Sequence, residues 1–177
     1  MTNAEDVTHL YQRLMDEGIH VWLLGGWGID ALLREQTRPH KDVDVLILAD
    51  DVVRLRDLLE REGYRLKELW SENRWDVDAQ GVEIATAFVL QDAKGREVDV
   101  HAMRLDEQGN GIPAWEGEGL IFERQDLAGE GLIAGVAVRC ITPEMQVACH
   151  TGYELPDAHR RDLELLHEKF GVAYPTG

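Results

Sequence analysis

The stretch HKDVDVLI, His40 to Ile47, constrains the fold of this chain more than any other. It sets two aspartates one residue apart at the head of an apolar run, although aspartate is depleted in strands and a carboxylate beside a core is unfavourable unless something pairs with it. On a strand, residues i and i+2 share a face with Cα atoms ~6.5 Å apart, so Asp42 and Asp44 point the same way. Two anions so placed repel, and each raises the pKa of the other. A divalent cation removes the conflict, and hard oxygen ligands without a matching His or Cys suit Mg²⁺, which takes one or two carboxylates and completes its shell with waters and substrate phosphates. The competing account is that these are exposed strand-end acids or partners of Arg38, Lys41 and Arg96. A third acid set among apolar neighbours is Asp99, in REVDVH.

Around these acids the pattern alternates between helix and strand. Val7, Leu10, Tyr11, Leu14 and Met15 fall on one helical face, with Thr2 or Asn3 as cap and Gly18 as stop. HVWLLGG reads as a short buried strand, WGIDALLRE as a helix and VDVLILA as a second strand. A helix capped by Asp50 or Asp51 follows, with Val52, Leu55, Leu58 and Leu59 inward. Further strands are expected at 64–70, 75–77, 82–90 and 97–103, the last two joined by a hairpin turn from Asp92 to Gly95. Residues 105–119 are polar and Gly-rich, a long loop or domain junction. LIAGVAVRCI reads as a hairpin around Ala134-Gly135. Thr142-Pro143 opens a helix to about Gly152, and a last helix spans about 157–170. The order predicts an α/β or α+β fold with a mixed sheet flanked by helices. The chain divides into a core over 1–104 and a C-terminal extension over 105–177, made of loop, hairpin and two helices packed on that core.

In LLGGWGID, the Gly25-Gly26 pair follows a strand and leads into a helix, so free backbone N–H groups and the helix dipole can converge on an anion. A simple tight turn is the alternative. The spacing fits neither a P-loop nor a dinucleotide fingerprint. Arg38, His40 and Lys41 in TRPHKD concentrate positive charge that could neutralise a triphosphate tail. That cluster stands out because the 177-residue chain carries 34 acidic against 18 basic residues, a formal net charge of −16. Such a balance argues against nucleic-acid binding and would steer a cationic small molecule inward. No apolar run is long enough for a membrane span and no leader pattern opens the chain, so a cytoplasmic location is expected. Cys140 and Cys149, without CxxC spacing, read as two buried free thiols.

Taken together, the order GGxGxD, RxHxDxD and GRxVDxH resembles the small antibiotic nucleotidyltransferases of the polymerase-β-like superfamily. The likeness is nearest to lincosamide nucleotidyltransferases and more distant to aminoglycoside 2″-nucleotidyltransferases. It rests on Gly25, Gly26, Trp27, Gly28, Asp30, Arg38, His40, Asp42, Asp44 and Asp99, with ITPEMQVACHTGYELPDAHRRDLELL similar to that group's closing helices. The wider superfamily carries Gly-Ser where this chain and its branch carry Gly-Gly. Phosphate grip therefore falls more on backbone amides and basic side chains.

The resemblance implies Mg²⁺-dependent transfer of a nucleoside monophosphate, with ATP as the expected NTP, to a hydroxyl of a small antibiotic, releasing pyrophosphate. By the same resemblance Asp42 and Asp44, with Asp99 as third carboxylate, hold the metal, and Asp99 lies against the attacking hydroxyl as base. Gly25, Gly26, Asp30, Arg38, His40 and Lys41 fall to the nucleotide. A homodimer sharing the acceptor pocket is compatible with it. Trp115 and Glu116 are the favoured acceptor contacts. Trp70 and Trp75 are available for stacking, His101 could orient Asp99, and His150 with Tyr153 could line a pocket or simply pack. Glu83 and Glu118 are better read as solvated. A lincosamide is the preferred acceptor. An aminoglycoside, or an antitoxin-type relative that binds nucleotide or modifies a protein, are the alternatives.

Overall fold

The structure, a computed structural model, describes residues 1–117, 119–151 and 154–174. Helix α1 (Ala4–Asp16) begins with Asn3 as N-cap, whose side chain accepts from Asp6 N–H while the Asp6 carboxylate accepts from Asn3 N–H. A 13-residue helix is marginal alone. Burial of Val7, Leu10, Tyr11 and Leu14, one face of the expected period, fixes it to the core. Strand β1 (Val21–Leu23) and helix α2 (Gly25–Leu33) follow, then β2 (Asp42–Leu48) and α3 (Val52–Arg61). The remaining strands are β3 (Arg65–Leu69), β4 (Trp75–Val77), β5 (Glu83–Ala85), β6 (Ala87–Gln91), β7 (Glu97–Leu105), β8 (Gly111–Pro113), β9 (Gly129–Ile133) and β10 (Val136–Cys140). Helices α4 (Pro143–Cys149) and α5 (Asp157–Phe170) close the chain.

Eight strands form one mixed sheet in the order β3-β6-β7-β2-β1-β10-β9, with β8 paired to the far end of β7. Strands β2 and β7 run parallel, as do β1 and β10, and the other neighbours are antiparallel. The hairpin of residues 129–140 thus extends the sheet that β1 and β2 begin, so the C-terminal segment is joined to the core by backbone hydrogen bonds as well as by packing. A main core lies under α1, α2, α3 and α5. A smaller one, built on Trp22, Leu46, Met103, Phe122, Ile141 and Met145, lies beneath the cleft described below. Among the described residues no helix is long and apolar enough to cross a membrane.

Several local expectations need correction. The stretch 82–90 is two strands, because the Asn73 side chain takes the N–H groups of Thr86 and Ala87 and the Thr86 hydroxyl binds the Arg74 backbone. Those bonds pull the chain out of the ladder, and β5 pairs with β4 in a separate hairpin. Neither Asp50 nor Asp51 caps α3 through its side chain: Asp50 accepts from Ala79 N–H and Asp51 pairs with Arg54. Helix α4 ends at Cys149 with His150 as C-cap. Residues 105–119 include a turn closed by Asp106 and the strand β8.

Candidate active site

Strands β2 and β7 pair in register, with Asp42 opposite Glu97, Asp44 opposite Asp99 and Leu46 opposite His101. Neighbouring strands lie ~4.8 Å apart, so Asp44 and Asp99 are brought side by side from segments 55 residues apart along the chain. Asp42 and Asp44 line a cleft of about 540 Å³. Asp99 sits deeper, 8% exposed, and its Oδ1 accepts the Trp70 indole N–H at 2.8 Å. His101 Nδ1 lies 3.4 Å from the same oxygen, and His101 Nε2 lies 3.5 Å from Glu72 Oε1. Burial alone would discharge the His101 ring, but Asp99 and Glu72 outweigh it and hold its pKa above the usual value. Asp44 is pushed from 3.8 up to about 8, first by loss of solvent and then by the anions of Asp42 and Asp99. Repulsion among Asp42, Asp44 and Asp99 thus adds to the effect of burial at the cleft floor.

The Gly pair sits directly over these acids. Gly25 has φ +54°, and a Cβ there would collide with Asp44 Oδ2. A Cβ on Gly26 would strike His40 Nδ1 and come within 3.2 Å of Arg38 Nη2. Side chains are excluded here so that the start of α2, with its unpaired N–H groups, can approach both the carboxylates and the basic loop. Gly25→Ala is expected to lower stability by about 1–2 kcal/mol from the left-handed backbone alone, to displace the Asp44 carboxylate and to lose most activity. Gly63→Ala, at φ +91° in open space, should show the backbone effect in urea unfolding and keep its activity.

Arg38, His40 and Lys41 of the following loop each have a carboxylate partner. Arg38 clasps Asp162 of α5, with Nη2 2.7 Å from Oδ2. His40 Nε2 lies 2.5 Å from Asp30 Oδ2, both groups being buried, while Lys41 Nζ is 3.0 Å from Glu97 Oε2. Arg38, His40 and Lys41 line the cleft together with Gly25 and Gly26. Asp30 lies behind it, where it also accepts from the Thr37 N–H and hydroxyl and so fixes the turn that carries the cluster.

The rest of the cleft lining is apolar and imidazole-rich, formed by Leu46, Trp115, Leu120, Phe122 and Cys149 with His101, His150 and His159. Trp115 lines the cleft, edge-on to His101 with ring centroids 4.8 Å apart. Glu116 is exposed and pairs with Arg74 at 3.1 Å, outside the described lining of the cleft. Glu83 is exposed on β5, and Trp75 is 58% exposed. His150 is buried, with Nδ1 2.7 Å from Gln146 O, so it both packs and faces the cleft. Tyr153 and Glu118 lie outside the described residues. Cys140 and Cys149 are free, and burial pushes both thiols up to about 12. Sequence reasoning missed Trp70 as a partner of Asp99, and Asp162 as a partner of Arg38. The second carried a signal: Asp162 precedes Leu163 and shares the inward face of α5 with Leu166.

This geometry can be set beside known proteins. The family model for aminoglycoside-2″-adenylyltransferase matches residues 6–166. The chain belongs to that family. A lincosamide resistance protein of Staphylococcus haemolyticus is 28% identical over 146 residues, 82% of each chain. The fold is similar to that of the lincosamide adenylyltransferase LnuA with lincomycin bound, with a TM-score of 0.75 and 24% identity over 92% of this chain and 94% of that one. It is also similar to ANT(2″)-Ia in complex with adenylyl-2″-tobramycin, with a TM-score of 0.72 and 21% identity over 95% and 89% of the two chains. The fold is therefore a nucleotidyltransferase fold of the polymerase-β-like type, and the chain is by family a nucleotidyltransferase.

The Mg²⁺ implied by this family can be tested on the residues themselves. Among the described residues no three His, Cys, Asp or Glu side chains close into a ligating group. Mg²⁺ does not ask for one, since it binds through one or two carboxylates plus substrate phosphates. Burial is the larger cause of the rise of Asp44 to about 8, and the repulsion from Asp42 and Asp99 that adds to it is what a divalent cation relieves. Asp42 and Asp44 fit it.

Proposed function

We propose that the chain transfers AMP from ATP, in the presence of Mg²⁺, to a hydroxyl of a lincosamide-type antibiotic and releases pyrophosphate. The observation that carries this reading is the register of Asp44 against Asp99 beneath Gly25 and Gly26, which offers a carboxylate pair for metal and a separate carboxylate for a proton. Asp42 and Asp44 hold Mg²⁺, which when bound supplies charge neutralisation at the phosphate oxygens. The N-terminus of α2 and Arg38, His40 and Lys41 face the triphosphate. Asp99 takes the proton of the acceptor hydroxyl as its oxygen bonds to the α-phosphorus. The bond from that phosphorus to the bridging oxygen breaks, and pyrophosphate leaves with the bonding pair.

Support for a lincosamide comes from the acceptor wall. Beyond Asp42 and Asp44, its described lining carries no carboxylate, whereas a polycationic aminoglycoside needs several. The family description and the net charge of −16 favour the aminoglycoside as second reading. A pyrophosphate-release assay with MgATP should respond to lincomycin at least about tenfold more than to tobramycin, the scale of one charged contact. A preference for tobramycin would transfer the reading to aminoglycosides. Silence with both, while ATP binds, would favour the antitoxin-type relative.

A further inference from the structure

Asp162 lies near the middle of the last helix, 2% exposed, and its described hydrogen-bond partner is Arg38 of the basic loop. Its oxygens take Arg38 Nε at 3.1 and 3.2 Å and Arg38 Nη2 at 2.7 Å, a fork-to-fork pair across 124 residues of chain. The guanidinium stands over Gly26 and lines the cleft beside Asp42. From this geometry we infer that Asp162 is a positioning residue, which holds Arg38 beside the metal carboxylates and presents it to the β- and γ-phosphates. The inference rests on the nucleotidyl-transfer reading above.

The physical need is specific. Asp30, Asp42 and Asp44 are further anions that act on Arg38. An unanchored arginine in that field would fall onto Asp42 and occupy the charge that Mg²⁺ requires. A bidentate clasp with a buried partner fixes the plane of the fork and leaves Nη1, whose one described bond is a long 3.3 Å contact to Pro39 O, to turn toward substrate. Ordering the arginine in advance also removes an entropy penalty from nucleotide binding. That penalty is on the scale of one immobilised side chain, up to about tenfold in affinity. The C-terminal helix thereby takes part in nucleotide recognition without touching the nucleotide.

The test uses the full chain with MgATP and inorganic pyrophosphate as probes. Asp162→Asn should weaken calorimetric binding of both about tenfold, raise KM for ATP by a similar factor and leave kcat and the acceptor KM close to wild type. On an Arg38→Ala background the same substitution should add nothing, because its effect runs through Arg38. Arg38→Lys keeps the charge and leaves Asp162 paired, so it tests the clasp even if Asp162→Asn folds poorly. It too should weaken pyrophosphate binding. Unchanged binding in Arg38→Lys, tighter binding in Asp162→Asn, an equal rise in acceptor KM, or an undiminished effect on the Arg38→Ala background would each overturn the positioning role. A wild-type chain that binds neither probe would instead remove the nucleotidyl-transfer reading, and this inference with it.

Discussion

Asp99→Asn is expected to lower the rate of AMP transfer by about 10²–10⁴-fold, the range a positioned general base contributes, while MgATP affinity stays near that of wild type. The substitution suits the question because it preserves the local structure. The Trp70 indole donates to Asp99 Oδ1 at 2.8 Å, and an asparagine carbonyl can accept that bond equally well. What the amide cannot do is take up a proton. His101, 3.4 Å from the same oxygen, keeps its Glu72 neighbour and does not replace the lost acceptor on the hydroxyl side. Steady-state pyrophosphate release gives the rate, and calorimetry with MgATP gives the affinity. Near-normal turnover in a folded Asp99→Asn protein would remove Asp99 as the base and leave the reaction to positioning and charge neutralisation alone.

The parts of this site that were legible in sequence are those set by short-range rules. Strand periodicity put Asp42 and Asp44 on one face, and the α1 cap, read as Thr2 or Asn3 and found at Asn3, and the hairpin at Ala134-Gly135 follow from local capping and turn chemistry. The pairing of Asp44 with Asp99 was only an implication of resemblance, because register across a parallel pair is set by the whole sheet and leaves no mark at either strand. Attachment of the 129–140 hairpin to β1 was hidden for the same reason. Long-range polar partners were harder still. Trp70 read as a stacking aromatic, since nothing adjacent to it shows that its N–H points at Asp99. Arg38 read as a cation for phosphate or as a partner of the strand aspartates, whereas a buried acid 124 residues away holds it. Glu116 was placed with its neighbour Trp115 by sequence, where its pairing with Arg74 left no mark.

Asp44→Asn is expected to abolish transfer and, in the absence of Mg²⁺, to make the protein more stable than wild type at alkaline pH. The Asp44 carboxyl is raised from 3.8 to about 8 by burial and by the anions of Asp42 and Asp99. An unfolded chain loses that proton near pH 4 and the folded one keeps it to about pH 8, so folding takes up a proton across the window between. The contribution of the protonated group to stability is complete below pH 4, is lost as pH rises toward 8, and falls no further above it. Every tenfold difference in proton affinity between the folded and unfolded chain corresponds to about 1.4 kcal/mol. Water entering the cleft screens part of it, so a penalty of roughly 2–4 kcal/mol is expected for wild type at pH 8.5. Asparagine carries no charge and escapes the penalty. Added Mg²⁺ should reverse the order, because it binds the folded wild type and stabilises it by mass action while the variant has lost a ligand. Thermal melting of both proteins at pH 5 and 8.5, in EDTA and in excess MgCl₂, reads all four conditions. A variant less stable than wild type in EDTA at pH 8.5 would show that Asp44 is already neutralised by its protein neighbours, and the case for a metal at this pair would fail.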